Sequence, residues 1–291
     1  MNSKQRFLSG KYLKDLSTFG IGGPARLFTE VTDIDQMKEA IAFCRAEGIA
    51  YIVIGKGSNC LFHDKGFDGL VISNKISFCT INDTDVFVGA GYSFSLLGVQ
   101  TARQSLTGLE FACGIPASVG GAIYMNAGAS GQETKDVLSE VVFINEQSEE
   151  EILPISALSF SYRKSPFQKR KGAIVAARFS LQRCDTARQK QLSIIDYRTK
   201  TQPYGQMSAG CLFRNPTGAA AGSLIEKVGL KGMQFGGAEV SDLHANFIVN
   251  KLGASAEDVL SLANLVRETV KEKAGVDLEM EIRCIPYKVD S

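Results

Sequence analysis

The sequence predicts an α+β fold long enough for roughly two domains, and three observations carry that reading. The first third alternates helices with short apolar strands. The last third reads strand, helix, strand, helix, strand, and the chain changes character near Pro203. Of the 291 residues, 44% are hydrophobic and 22% charged, which allows a sizeable core.

The elements follow in order. Thr32 or Asp33 can cap a helix whose apolar face carries Met37, Ile41 and Cys44 and which ends at Gly48. Tyr51–Ile54 and Leu70–Ile72 read as apolar strands, and strands recur at Val86–Val88 and Val141–Ile144. In Ile174–Leu181, Ile174, Ala176, Arg178 and Ser180 alternate with Val175, Ala177, Phe179 and Leu181. The polar run Arg183 to Lys200 predicts a surface linking helix with Leu192, Ile195 and Tyr197 as its apolar anchors. Beyond it come a strand at Cys211–Phe213, a short helix at Gly222–Val228 and a strand at Phe247–Asn250. A long helix is capped by Ser255 with Asp258 as capping-box partner, its face being Val259, Leu262, Val266 and Val270. Leu278–Ile285 closes the unit.

The totals exclude several classes. A net charge of +1 from 32 basic and 31 acidic residues draws the chain neither to nucleic acid nor to an anionic membrane. Seven cysteines without C-x-x-C spacing and two histidines, His63 and His244, make a metal site unexpected. An odd number of scattered thiols fits a reducing cytoplasm. The N-terminal segment lacks the apolar core of a signal peptide, and no run approaches the ~18 apolar residues of a membrane span.

Five constellations could carry chemistry. GKGSN, Gly55–Asn59, leaves the strand Tyr51–Ile54 as a glycine-rich turn able to form an anion-binding nest, to which Ser58 and Asn59 add donors. It matches neither the Walker A nor the G-x-G-x-x-G spacing, and an ordinary turn is the alternative. Gly108 to Gly131 packs six glycines around Asn126, with a rigid bend at Gly114-Ile115-Pro116 and room for close approach at Gly120-Gly121. A glycine-rich packing crossover is the alternative there. In Tyr162–Phe167, Arg163 stands beside an aromatic and could fork onto a carboxylate, unless it is merely solvated. Cys211 follows Gly210 and could supply a proton, although a small buried hydrophobe is the usual fate of a cysteine. Glu279, Glu281 and Arg283 share one face of the closing strand, which is either a wet surface or, if buried, the setting of an acid.

Taken in order, these stretches resemble the UDP-N-acetylenolpyruvoylglucosamine reductase family across nearly the whole chain. The likeness rests on TFGIGGPA (18–25), GKGSNCLF (55–62), GLEFACGIPASVGGAIYMNAGA (108–129), YRKSPF (162–167), AGCLFRNP (209–216), AGSLIEKVGLKG (221–232), HANFIVN (244–250) and LEMEIR (278–283). Each stretch is modest alone, and eight in sequence are specific. The resemblance implies a two-part FAD-binding domain of the vanillyl-alcohol-oxidase/PCMH type, at 1–79 and 80–196, plus a C-terminal α+β substrate domain at 197–291. It implies FAD and NADPH as cofactors, a nucleotide-sugar substrate in peptidoglycan precursor synthesis, a cytoplasmic location and a monomer. Gly55, Gly57, Ser58, Asn59, Gly114, Ile115, Pro116, Ser118, Gly120, Gly121, Asn126 and Gly128 would hold FAD, and Asn215, His244 and Lys200 the substrate.

By the same resemblance the reaction turns an enolpyruvyl ether into a lactyl ether. Negative charge builds towards the substrate carboxylate, where a cation and an acid lower the barrier. Arg163 matches the family's arginine for this role and Glu281 its glutamate. The family usually has serine as proton donor where this chain has Cys211, and a thiol is acidic enough to donate. Lys200 lies one place before the family's lysine position, which holds Thr201, and that weakens its assignment. Only 48 positions separate Arg163 from Cys211, which fits a shorter form of the family without a tyrosine-bearing loop. Two rivals stand beside this reading. One is an FAD oxidase of the same fold, against which no histidine for covalent flavin attachment lies in the glycine loops. The other is a catalytically silent flavin- or nucleotide-sugar-binding module, against which Arg163, Cys211 and Glu281 are all present.

Overall fold

A computed structural model describes residues 7–288. The chain passes several times between two compact units. One holds Phe28–Lys56 and Leu70–Arg198, the other Leu8–Leu27, Gly57–Gly69 and the chain from Thr199 onward.

The first unit opens with α1 (Ile34–Glu47). The Asp33 carboxylate accepts from the Gln36 N–H at 2.8 Å, and Gly48 ends the helix, as the sequence predicts. Tyr51–Ile54 is a strand, paired in parallel with Leu70–Ser73. The main sheet is antiparallel, in the order Glu150–Pro154, Leu138–Asn145, Gly172–Ser180, Asp85–Gly89 and Cys79–Asn82. Its register sets Val142 opposite Ala176, and Ala177 opposite Val88. The sequence alternation in Ile174–Leu181 suggests two unlike faces, yet Ala173–Ala177 is buried without a break. Helices α1 and α3 (Val119–Tyr124) both pack on this strand, so it has no wet face. α2 (Phe94–Arg103) contributes to a core built on Phe94, Leu97, Phe111, Phe143, Phe167 and Phe179.

The predicted linking helix is α4 (Ala187–Thr201), with different anchors from those expected. Leu192 and Tyr197 are 50% and 66% exposed and Ile195 is half-buried, whereas Ala187, Gln191 and Arg198 are buried. Gln191 and Arg198 lie seven residues, about two turns, apart and so share a face. The Arg198 guanidinium donates to the Phe111 carbonyl at 3.3 Å, and Gln191 accepts from Arg188. The buried face of α4 is thus partly polar, where an apolar one was expected.

In the second unit an antiparallel sheet of Gln234–Phe235, Ala238–Val240 and Ile248–Asn250 adjoins α5 (Ala221–Lys227) and α6 (Ala256–Ala274). The predicted capping box is present, Ser255 Oγ accepting from the Asp258 N–H at 3.0 Å and Asp258 from the Ser255 N–H at 2.9 Å. The Asp64 carboxylate also accepts from the Ala256 and Glu257 N–H groups, a second cap supplied from far away in sequence. Val259, Leu262, Val266 and Val270 are fully buried, and each stabilises the packed helix by about 1.5–3 kcal/mol. Cys60–Phe62 runs parallel to Arg283–Ile285.

Two strand expectations fail. Cys211–Phe213 forms only isolated bridges, Cys211 with Phe247 and Phe213 with Met280, and in Leu278–Ile285 only Arg283–Ile285 is a regular strand. The cause is local. Gly210 takes φ +78°, which breaks the extended run just before Cys211. The buried Asn246 side chain then replaces a neighbouring strand, accepting from the Phe213 N–H at 3.0 Å and donating to the Phe213 carbonyl at 2.8 Å. Among the described residues no helix is long and apolar enough to cross a membrane.

Candidate active site

In the first unit the glycine stretch folds tightly on its own chain. A Cβ at Gly55 would collide with the Ser118 hydroxyl, and one at Gly120 would sit 2.9 Å from Ala90 Cβ. These glycines therefore let the loop after Tyr51–Ile54, the chain around Ala90 and the start of α3 approach one another closely. Ser118 is buried and caps α3, accepting from the Gly121 N–H at 3.3 Å. The Gly114 N–H donates to Ser95 Oγ at 2.8 Å, and Ile115 and Ala117 continue the bend through N–H bonds to Ala112 and Ile115. Pro116 is exposed on it. At its rim Lys56 Nζ donates to Ser93 Oγ at 2.8 Å. Partial burial, then the nearby Lys75, lower the Lys56 pKa.

This cradle fits an anionic cofactor. From Val86 to Gln132 the only acidic residue is Glu110. It is buried, and accepts from Thr107 Oγ1 and the Gly108 N–H, both at 2.6 Å. The remaining donors are hydroxyls, a lysine and backbone N–H groups, the set a diphosphate arm requires.

Asn126 is fully buried at φ +43°. Its carboxamide donates to Glu133 and to the Ser161 carbonyl, each at 3.0 Å, and accepts from the Lys135 N–H at 3.1 Å. Both its N–H groups are thus committed within the protein. Gly128 contributes its carbonyl, which accepts from Arg163 Nη2 at 3.0 Å. Arg163 is half-buried at φ +57°, and its guanidinium lies 4.9 Å from the centre of the Tyr162 ring. The first unit thereby joins Asn126, Gly128 and Arg163 in one network.

The second unit holds the other predicted residues. Gly57 packs against the Leu16 carbonyl, and Ser58 and Asn59 are half-buried. Asn59 Nδ2 donates to the Glu281 carbonyl at 3.3 Å. The Glu281 N–H donates to the Leu212 carbonyl at 2.7 Å, which sets Glu281 beside the residue following Cys211. Cys211 and Glu281 are both half-buried. Glu279 is exposed and pairs with Arg214 at 2.7 Å.

Asn215 and His244 meet at the start of α5. Asn215 Oδ1 accepts from the Ala221 N–H at 3.0 Å, and a Cβ at the next residue, Gly222, would lie 3.3 Å from His244 Cε1. Burial lowers the His244 pKa; the neutral ring accepts from the Asn246 N–H at Nδ1, leaving Nε2–H as its donor. Lys200 is an exposed residue of the last turn of α4; a cleft of about 320 Å³ nearby in sequence is lined by its neighbours Thr199 and Gln202 with Tyr204, Glu239 and Lys251, and not by Lys200 itself. Neither Asn215 nor His244 lines that cleft. Sequence reasoning missed Asn246, Asp64 and Gln168. Asn246 sits inside a quoted motif, but nothing local marks the other two.

Comparisons with known proteins match two stretches of the chain. A family model described as an FAD-binding domain matches residues 25–151. One described as the C-terminal domain of UDP-N-acetylenolpyruvoylglucosamine reductase matches residues 202–285. The class is thus an FAD-containing oxidoreductase of mixed α/β structure.

The particular family follows from relatives over the full length. The chain is 56% identical over 291 residues to the UDP-N-acetylenolpyruvoylglucosamine reductase of Protochlamydia amoebophila, covering 100% of this chain and 97% of the relative. It is 47% identical to that of Chlamydia muridarum, covering 95% and 93%. A crystal structure of the Thermus caldophilus reductase matches with TM-score 0.82 and 36% identity, over 96% of this chain and 100% of that one. The chain belongs to the UDP-N-acetylenolpyruvoylglucosamine reductase family.

Proposed function

We propose that this protein uses NADPH and FAD to reduce UDP-N-acetylglucosamine enolpyruvate to UDP-N-acetylmuramate, a precursor of peptidoglycan, as a cytoplasmic monomer. FAD held in the cradle would supply the redox chemistry, a hydride transfer from NADPH to the terminal alkene carbon of the substrate. Gly55, Gly114–Pro116, Ser118, Gly120 and Gly121 shape the cradle, and Gly57, Ser58 and Asn59 extend the same loop. Arg163 offsets the charge that builds on the substrate carboxylate, and Glu281 acts with it. The Cys211 thiol gives its proton to the carbon bearing the ether oxygen, and water then restores it. Asn215, His244 and Lys200 bind and orient the nucleotide sugar.

The observation that most supports this reading is the Arg163–Gly128 bond, which ties the proposed catalytic cation to a loop within the stretch matched by the FAD-binding family. The purified protein should be yellow. Without air, NADPH should bleach the flavin absorption and the enolpyruvyl substrate restore it. Recovery only with oxygen would indicate an oxidase, and a colourless protein a binding module. Gel filtration tests the monomer.

A further inference from the structure

We propose that Gln168, together with Asn126, is a positioning residue for Arg163, holding its turn in the conformation that aims the guanidinium at the glycine loop. This rests on the role given to Arg163 above. Arg163 is the third residue of a tight turn in which Ser161 and Lys164 exchange backbone hydrogen bonds at 3.1 and 2.9 Å. Its φ of +57° is one that a long side chain adopts only when its surroundings impose it. Asparagine or glycine would be the ordinary occupant, and neither carries a charge.

The surroundings are two carboxamides. Gln168 Nε2 donates to the Arg163 carbonyl at 3.1 Å and to the Tyr124 carbonyl at 3.0 Å, spending both its N–H groups. Tyr124 is the last residue of α3, so its carbonyl has no partner within that helix. Ser165 Oγ donates to the same carbonyl at 2.7 Å. Asn126, two residues past α3, donates to the Ser161 carbonyl on the other arm of the turn. The turn is therefore bolted at both ends to the exit of α3. Relaxation of Arg163 to negative φ would swing its side chain off the Gly128 carbonyl, and the Gln168 bond to the Arg163 carbonyl opposes that rotation.

The test separates positioning from mere structure. Gln168→Met keeps the length of the side chain and removes its donors. Gln168→Glu, nearly the same shape, serves if the methionine variant does not fold. Each half-reaction is measured by stopped flow in the presence and absence of Arg163→Ala. The expected result is a loss of about tenfold in flavin re-oxidation by substrate, with NADPH bleaching within about twofold of the parent. In the Arg163→Ala background the Gln168 change should cost less than about twofold more. An equal loss in both backgrounds, an equal loss in both half-reactions, or no loss overturns the inference. If Arg163→Ala alone re-oxidises at full rate, the functional reading itself fails. If it is impaired and Gln168 is additive, only this inference fails.

Discussion

The Arg163 turn and the Cys211 segment set the same problem and solve it differently. Each places a proposed catalytic side chain on backbone outside any regular strand or helix, and each is held by a carboxamide where a ladder would otherwise run. At Cys211 the positive φ falls on the preceding residue, Gly210, where it costs little. The segment that follows the reactive residue is then held by the Asn246 side chain, which accepts from the Phe213 N–H and donates to its carbonyl. At Arg163 the positive φ falls on the reactive residue, which cannot be glycine without losing the guanidinium. The backbone conformation there costs of order 1–3 kcal/mol, and Gln168, Asn126 and Ser165 converge to hold it. Small residues suffice where strain can be moved one position along the chain; a network is required where it cannot.

That contrast can be broken or sharpened, beginning with the largest effect. Glu281→Gln should lose at least ~10²-fold in substrate reduction while the flavin is still bleached by NADPH. Equal loss in both half-reactions would return Glu281 to a structural role. Cys211→Ser should stay active and Cys211→Ala should lose ~10²-fold or more in the proton-transfer step; an unimpaired alanine variant removes the thiol from the chemistry. Asn246→Ala leaves the Phe213 N–H and carbonyl without their partner. It should lower stability by about 2–4 kcal/mol, seen as an earlier denaturant midpoint, and an unchanged midpoint would refute that role.

Smaller effects follow. Ser255→Ala should cost under about 1 kcal/mol, because Asp64 also caps α6; adding Asp64→Ala should cost more than the two single changes summed. His244 titrates below its ordinary 6.5 because it is buried. Between the lowered folded value and 6.5, the unfolded chain takes up a proton that the folded chain does not. Its contribution to stability is thus full above about pH 6.5 and is lost as the pH falls below it. His244→Gln should flatten that part of the stability profile, and an unchanged profile would contradict it.

Most elements with a local signal were legible. Asp33 and Gly48 bracket α1, Ser255 and Asp258 open α6, and Tyr51–Ile54 stands at its predicted bounds. What escaped depends on partners distant in sequence. Nothing near Cys211 announces that Asn246, 35 residues on, would replace a strand. The polar α4 hid its anchors because two of its buried residues, Gln191 and Arg198, are polar side chains that make hydrogen bonds. Asn126 was legible as the polar residue of the glycine stretch. Its partners Glu133, Lys135 and Ser161, which direct it towards the Arg163 turn, were not.

The most direct measurement is an anaerobic stopped-flow record of Arg163→Ala in two stages, first with NADPH and then with the enolpyruvyl substrate. The account predicts bleaching within about twofold of the parent and re-oxidation slowed at least ~10²-fold. Re-oxidation at the parental rate, or equal slowing of both stages, would contradict it.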